Sequence, residues 1–298
     1  MSSSNLIQDI INGLLLGGLY ALIAIGYTMV YGILRLINFA HGDILMWGVY
    51  FALYAVVALS MPWWIAFVIG IALAGLLGFT VEKVAYKPLR SAPRISSLIT
   101  AIGMSFFLES LAVVVWGGIP KSFNIYPKFF NRTLIFGHVR IQMLTFFILG
   151  VTFILLLAVL WLLYRTNTGT AMRAIATDIP TTSLMGANVN NIISLTFIIG
   201  SMLAATSGIM WAMRYPQVQP YMGFVPGMKA FIAAVIGGIG SVPGALVGGF
   251  LLGMTEIIVV GLFPNLAGYR DAFAYVILIV LLMFRPTGIF RVYSEQKV

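Results

Sequence analysis

The run IINGLLLGGLYALIAIGYTMVYGIL, residues 10–34, holds 25 residues and no charged side chain. A helix rises about 1.5 Å per residue and the hydrocarbon core of a bilayer is about 30 Å thick, so this run can cross a membrane with some tilt. The next charge-free block, residues 44–81, is too long for one crossing. Ser60, Met61 and Pro62 divide it, with Trp63 and Trp64 beside them; proline ends a helix, and a tryptophan pair suits the membrane interface. Further apolar stretches cover residues 95–120, 141–164, 192–213 and 230–269, and a last apolar helix is expected to end at Phe284, before Arg285 and Pro286.

Composition agrees with that pattern. The chain is 61% hydrophobic and 8% charged, and its mean hydropathy of +1.03 far exceeds that of a soluble domain. At about 20 residues per crossing, there is room for about eight or nine helical passes, including broken or re-entrant helices. The expectation is an all-α polytopic integral membrane protein forming a single transmembrane domain over residues 1–298. The formal charge of +9, from 17 Lys and Arg against 8 Asp and Glu, would suggest nucleic acid in a soluble protein. Here the cations fall in the gaps between apolar runs, where cytoplasmic retention and anionic lipid headgroups explain them. There are no cysteines, which excludes disulfides, thiolate metal sites and cysteine nucleophiles. No basic residue precedes the first apolar run, which is also too long for a signal-peptide core, so it is expected to remain in the mature protein.

Lys83, Lys87, Arg90 and Arg94 make the connection after the second block the strongest cytoplasmic marker. Counting crossings puts residues 165–191 on the same side and the polar connection at 117–140 on the opposite one. A tail with Arg291 and Lys297 joins the cytoplasmic side if the segment broken at Gly237 to Gly244 makes two passes. The N-terminus then lies outside.

Four features could carry chemistry. Asn38, His41 and Asp43 lie between two apolar helices, where polar groups must face protein or a water-filled cavity. Alternatively, Asn38 or Asp43 caps the helix that starts near Ile44 and His41 fills a surface turn. The glycine-rich break, with Gly237, Gly240 and Ser241, could expose backbone groups along a translocation path, or its glycines could serve close packing. Glu109 and Glu256 are carboxylates in otherwise uncharged spans, either proton-relay groups or hydrogen-bonding locks between helices. Finally, Thr170 to Thr177 suits a short helix, Asp178 and Pro180 restart the chain, and Gly186 suits the C-terminal cap of a second short helix. Such a pair is either a docking element for a soluble partner or a loop lying on headgroups.

Enzyme chemistry finds little support. His41 and His138 lack metal-ligand spacing, no metal site is expected, no GxSxG elbow is present, and the glycine-rich break lacks the lysine of a phosphate loop.

Residues 18–43 (GLYALIAIGYTMVYGILRLINFAHGD), 169–190 (GTAMRAIATDIPTTSLMGANVN) and 227–253 (GMKAFIAAVIGGIGSVPGALVGGFLLG) closely resemble the LivH-type permeases of branched-chain amino acid ABC transporters. VAYKPLR at 84–90 and LITAIGMSFFLES at 98–110 extend the resemblance over nearly the whole chain. It implies a bacterial inner-membrane permease domain paired with a LivM-type permease, two cytoplasmic ATPase subunits and a periplasmic binding protein. ATP would bind the partners, leaving this chain without a cofactor or ATPase site. Met172, Arg173, Ala174 and Gly186 would belong to a coupling element facing an ATPase, and Asn38, His41 and Asp43 would lie near the pathway. The family pattern has an uncharged polar residue at the place of Glu109, so no general mechanistic role is implied there. Leucine, isoleucine and valine are the leading cargo, with other neutral amino acids or urea and short amides as alternatives. A proton-coupled secondary transporter is the rival mechanism that Glu109, Glu256, His41 and Asp43 could support.

Overall fold

Nearly every charge-free run is a helix in a computed structural model, which describes residues 3–90, 92–137, 139–285 and 287–290. His138, Pro286, Arg291 and Lys297 lie outside the described residues. The membrane dictates the helices: a backbone in hydrocarbon must satisfy its own hydrogen bonds. Among the described residues seven helices are long and apolar enough to cross, joined by two shorter apolar helices.

The chain runs α1 (Ser3–Leu34), α2 (His41–Val57), α3 (Trp63–Val81) and α4 (Arg94–Trp116). It continues through α5 (Met143–Arg165), the short α6 (Asn167–Thr177) and α7 (Ile179–Leu184), and α8 (Val189–Arg214). The last three are α9 (Phe224–Gly237), α10 (Val242–Leu262) and α11 (Arg270–Phe284). Pro62 stands at the N-cap of α3, where its missing N–H costs nothing, so the long second block divides where the sequence indicated. The polar connection after α4 folds into a small surface structure: β1 (Lys121–Ser122) pairs with β4 (Gln217–Val218), and β2 (Thr133–Phe136) pairs with β3 (Val139–Gln142). The first pairing ties the ends of α4 and α8 together, so both helices finish at the same end of the bundle.

Two helix triplets are arranged alike and run in opposite directions. In α1–α2–α3 and in α8–α9–α10, a long helix is followed by a short one of 17 or 14 residues and then another long one. The long helices of the triplets pair crosswise, α1 with α10 and α3 with α8. Contact pairs fix their directions: Leu19 lies against Ser207 and Gly26 against Gly200, so α1 and α8 are antiparallel. Inverted repeats of this kind place short, discontinuous helices at the centre of many transporters.

α1 and α10 come within backbone distance because small residues face each other. A Cβ on Gly249 would stand 2.5 Å from the backbone of Ala21, and one on Gly17 would stand 2.8 Å from Phe250 Cα. Between apolar helices in lipid, such close van der Waals packing is the main attraction. We expect Gly249→Val to force the pair apart and lower stability by roughly 1–3 kcal/mol, read as a lower thermal unfolding midpoint of the purified protein; an unchanged midpoint would contradict this register. The last helix, α11, leans mainly on α9 and α10, and exposes Val276, Ile279, Met283 and Phe284.

Candidate functional site

α1 ends when Arg35 enters the left-handed region at φ 54°, and the chain turns back toward the bundle before α2 begins at His41. The N-cap of α2 is Ala40, with no side-chain capping hydrogen bond, so neither Asn38 nor Asp43 has the capping role considered from sequence. Their bonds go to other elements. Asn38 Oδ1 accepts from the Tyr86 hydroxyl at 2.9 Å, and Asp43 Oδ2 accepts from the Ser105 hydroxyl of α4 at 2.5 Å. His41 is not in a surface turn: it is buried against Tyr27, with ring centroids 4.5 Å apart. Asn38 Nδ2 and His41 Nε2 have no hydrogen-bond partner. The N-terminus of α2 also meets that of α9, because a Cβ on Gly42 would stand 2.6 Å from the carbonyl oxygen of Gly223 and 3.4 Å from Gly227 Cα. Two half-length helices thus bring their positive ends together inside the bundle.

The connection between α5 and α8 forms two short helices, each started by a side chain. The Thr166 hydroxyl accepts from the Gly169 amide, opening α6 at Asn167, three residues before the expected Thr170. Asp178 Oδ1 accepts from the Thr181 amide at the start of α7, and Gly186, at φ 85°, follows its end in the left-handed conformation that glycine tolerates best. Met172 and Ile175 point into the protein, whereas Arg173, Ala174 and Gly186 are exposed. The Arg173 guanidinium lies over the Tyr164 ring at 5.2 Å.

A cavity of about 340 Å³ separates α6 from α1, α8 and the start of α10, with Thr28, Met172, Arg173, Thr196, Gly240 and Ser241 in its wall. The glycine-rich break therefore serves two purposes. Gly238 and Gly240 adopt φ 105° and 96°, which reverse the chain between α9 and α10. Gly237 packs onto the backbone of Gly244, Ser241 caps α10 through the Gly244 amide, and Gly240 and Ser241 face the cavity. Gly237 is buried in the packing seam, away from that wall.

A charge cluster lies deeper. Glu256 of α10 receives Lys229 of α9 at 2.6 Å, Arg270 of α11 at 2.5 Å and the Tyr20 hydroxyl of α1 at 3.0 Å. Lys229 also pairs with Asp271 at 2.5 Å. Two cations and two anions from three helices neutralise each other, with the Tyr20 hydroxyl joining from a fourth, which favours the locking role of Glu256 over a relay. Glu109, also buried, lies one helical turn beyond Ser105 on α4. Lys229 was not singled out from sequence, and neither was Glu82, which is wholly buried, pairs with Arg90 and accepts from Ser194 at 2.7 Å. Arg90 in turn donates to Asn190 at 2.6 Å. The available signal was a lone charge inside or beside an apolar run, which in a membrane requires a partner. No group of three or more His, Asp or Glu suited to a metal ion occurs among the described residues.

Inverted helix triplets, meeting half-helices and mainly apolar outer faces define a multi-pass membrane transport protein of the permease class. The chain belongs to the family of branched-chain amino acid transport system permease components, whose model matches residues 9–282. It is 42% identical to the high-affinity branched-chain amino acid transport system permease BraD of Pseudomonas aeruginosa, over 98% of each chain. It is 40% identical to the corresponding LivH of Escherichia coli, over 98% of this chain and 97% of the relative. Among solved structures, PsaBC from Streptococcus pneumoniae in complex with Fab shares the fold with a TM-score of 0.50 and 16% identity, covering 96% of this chain and 94% of that one.

Proposed function

We propose that this chain is one of two permease subunits of an ABC importer that carries leucine, isoleucine and valine across the bacterial inner membrane. The observation that carries most weight is the α6–α7 pair: a capped two-helix element with Arg173, Ala174 and Gly186 exposed, in a chain 40% identical over nearly its full length to a branched-chain amino acid permease. Two cytoplasmic ATPases bind and hydrolyse ATP, and α6–α7 receives their movement through Met172, Arg173, Ala174 and Gly186. A LivM-type permease supplies the other half of the pore, and a periplasmic binding protein delivers the amino acid across the face that carries the 117–140 connection. The chain itself holds neither cofactor nor ATPase site.

Within the subunit, Asn38, His41 and Asp43 shape the meeting point of the half-helices beside the pathway, and Gly240 and Ser241 border its cytoplasmic end. Asp43 is bonded to Ser105 rather than used as a cap. Asp43→Leu should therefore lower leucine uptake severalfold while leaving most of the assembled transporter intact; a loss of assembly matching the loss of uptake would make the residue purely architectural. The subunit composition is tested by mild purification from native membranes. Two ATPases and a second permease should co-purify, and recovery of an active chain without partners would overturn the proposal.

A further inference from the structure

α3 does not finish as an α-helix. After Val81 the chain passes into a π-helical turn, Glu82–Tyr86, in which the Lys87 amide donates to the Glu82 carbonyl five residues back, and then into a 3-10 turn, Lys87–Leu89. It is the one π-helical turn among the described residues, and such turns are rare and concentrate at functional positions. Glu82 and Tyr86 are both buried, and they bond to different parts of the bundle. Glu82 pairs with Arg90 and accepts from Ser194 of α8 at 2.7 Å. Arg90 also donates at 2.6 Å to Asn190, the second residue of α8, where the chain leaves the α6–α7 pair. The Tyr86 hydroxyl donates to Asn38 at 2.9 Å, and its ring lies 5.3 Å from that of Phe197. Contacts therefore run unbroken from Asn190 through Arg90, Glu82 and Tyr86 to Asn38, which stands just ahead of α2.

We propose that residues 82–90 are a transmission element, in which Arg90, Glu82 and Tyr86 are positioning residues that tie the α6–α7 pair to the half-length helix α2. The tie is stiff at the Asn190 end. Glu82 is wholly buried, so its carboxylate needs Arg90 and Ser194, and Arg90 cannot follow Asn190 unless Glu82 goes with it. It is free to move at the turn itself. A π-helical turn tightens to α-helical spacing by exchanging one hydrogen bond, which swings the residues at its end about the helix axis. Tyr86 is the residue at that end, so the exchange acts on its hold on Asn38. One turn earlier α3 is fixed, because a Cβ on Gly78 would run into the Ser201 side chain of α8. The source of the movement rests on the importer reading, whereas the contacts between the two ends do not.

The test uses the complete transporter in nanodiscs, with basal ATP hydrolysis, hydrolysis stimulated by the leucine-loaded binding protein, and the thermal midpoint as readouts. Tyr86→Phe removes only the hydroxyl that reaches Asn38, and Asn190→Ala removes only the acceptor of Arg90, leaving the Glu82–Arg90 pair in place. Each should cut the stimulation about fivefold, the lower end of ordinary coupling between distant sites. Basal hydrolysis and the midpoint should stay near those of the unaltered protein. The double variant should lose no more than the worse single one, because both substitutions interrupt one chain of contacts. Losses that multiply would overturn the relay by showing two separate roles, and undiminished stimulation in either single variant would overturn it directly. Basal and stimulated hydrolysis falling together with the midpoint would make the segment a staple of the fold. ATP-driven leucine uptake by the unaltered complex separates the two proposals: its absence defeats the importer assignment, whereas uptake with stimulation indifferent to both substitutions defeats the relay alone.

Discussion

Replacing Glu256 with glutamine should destabilise the protein by about 3–5 kcal/mol, the usual cost of removing one partner from a buried ion pair. The reason is what remains. Lys229, 1% exposed, would stand beside a neutral amide, with Asp271, itself half exposed, as its remaining acidic partner. Arg270 would lose its 2.5 Å contact, and with it α11 would lose a main polar tether to α10. A lower thermal midpoint and faster proteolysis near α11 should be visible in the purified protein. The joint change Lys229→Met with Glu256→Leu should recover a large part of the loss, because apolar groups of similar size need no partner there. A double-mutant cycle isolates the pair, and a coupling energy near zero would mean that the cluster holds nothing together.

The second large effect concerns Arg173→Glu. Arg173 lies on the outward face of α6 while Met172 and Ile175 anchor that helix to the bundle, so reversing its charge alters the docking surface and leaves the anchor in place. Substrate-stimulated ATP hydrolysis by the assembled importer should fall roughly tenfold, as expected for a like-charge contact introduced at an interface. Membrane insertion and thermal stability should stay near those of the unaltered protein. Unchanged transport would remove α6 from the coupling path.

The sequence exposed much of this architecture and little of its depth. Pro62, the glycines from 237 to 244 and the Asp178–Pro180 restart marked breaks that the structure places within a few residues, because proline, glycine and capping side chains act locally. Lys229 illustrates the opposite case. Its charge moved the expected start of the following apolar segment to Ala230, whereas α9 starts at Phe224 and carries the lysine through its interior. The partners that permit this lie 27 and 42 positions further on, at Glu256 and Asp271, and only folding brings them near. Glu82 was obscured for a similar reason: beside Lys83 it looked like part of a solvated basic connection, yet it is buried against Arg90 and Ser194. For Asn38 and Asp43, capping and tertiary bonding require the same residue types. Tyr86 and Ser105 decide between them, and neither is a sequence neighbour.

The proposed function makes this chain a subunit whose energy source lies in other chains, and the rival is a carrier driven by protons through its buried ionisable groups. Uptake of radiolabelled leucine into proteoliposomes separates the two. The importer assignment predicts uptake that requires the partner permease, both ATPases, the binding protein and ATP on the ATPase side, and that survives collapse of the proton gradient. Uptake by this chain alone, independent of ATP and abolished with the proton gradient, would contradict it.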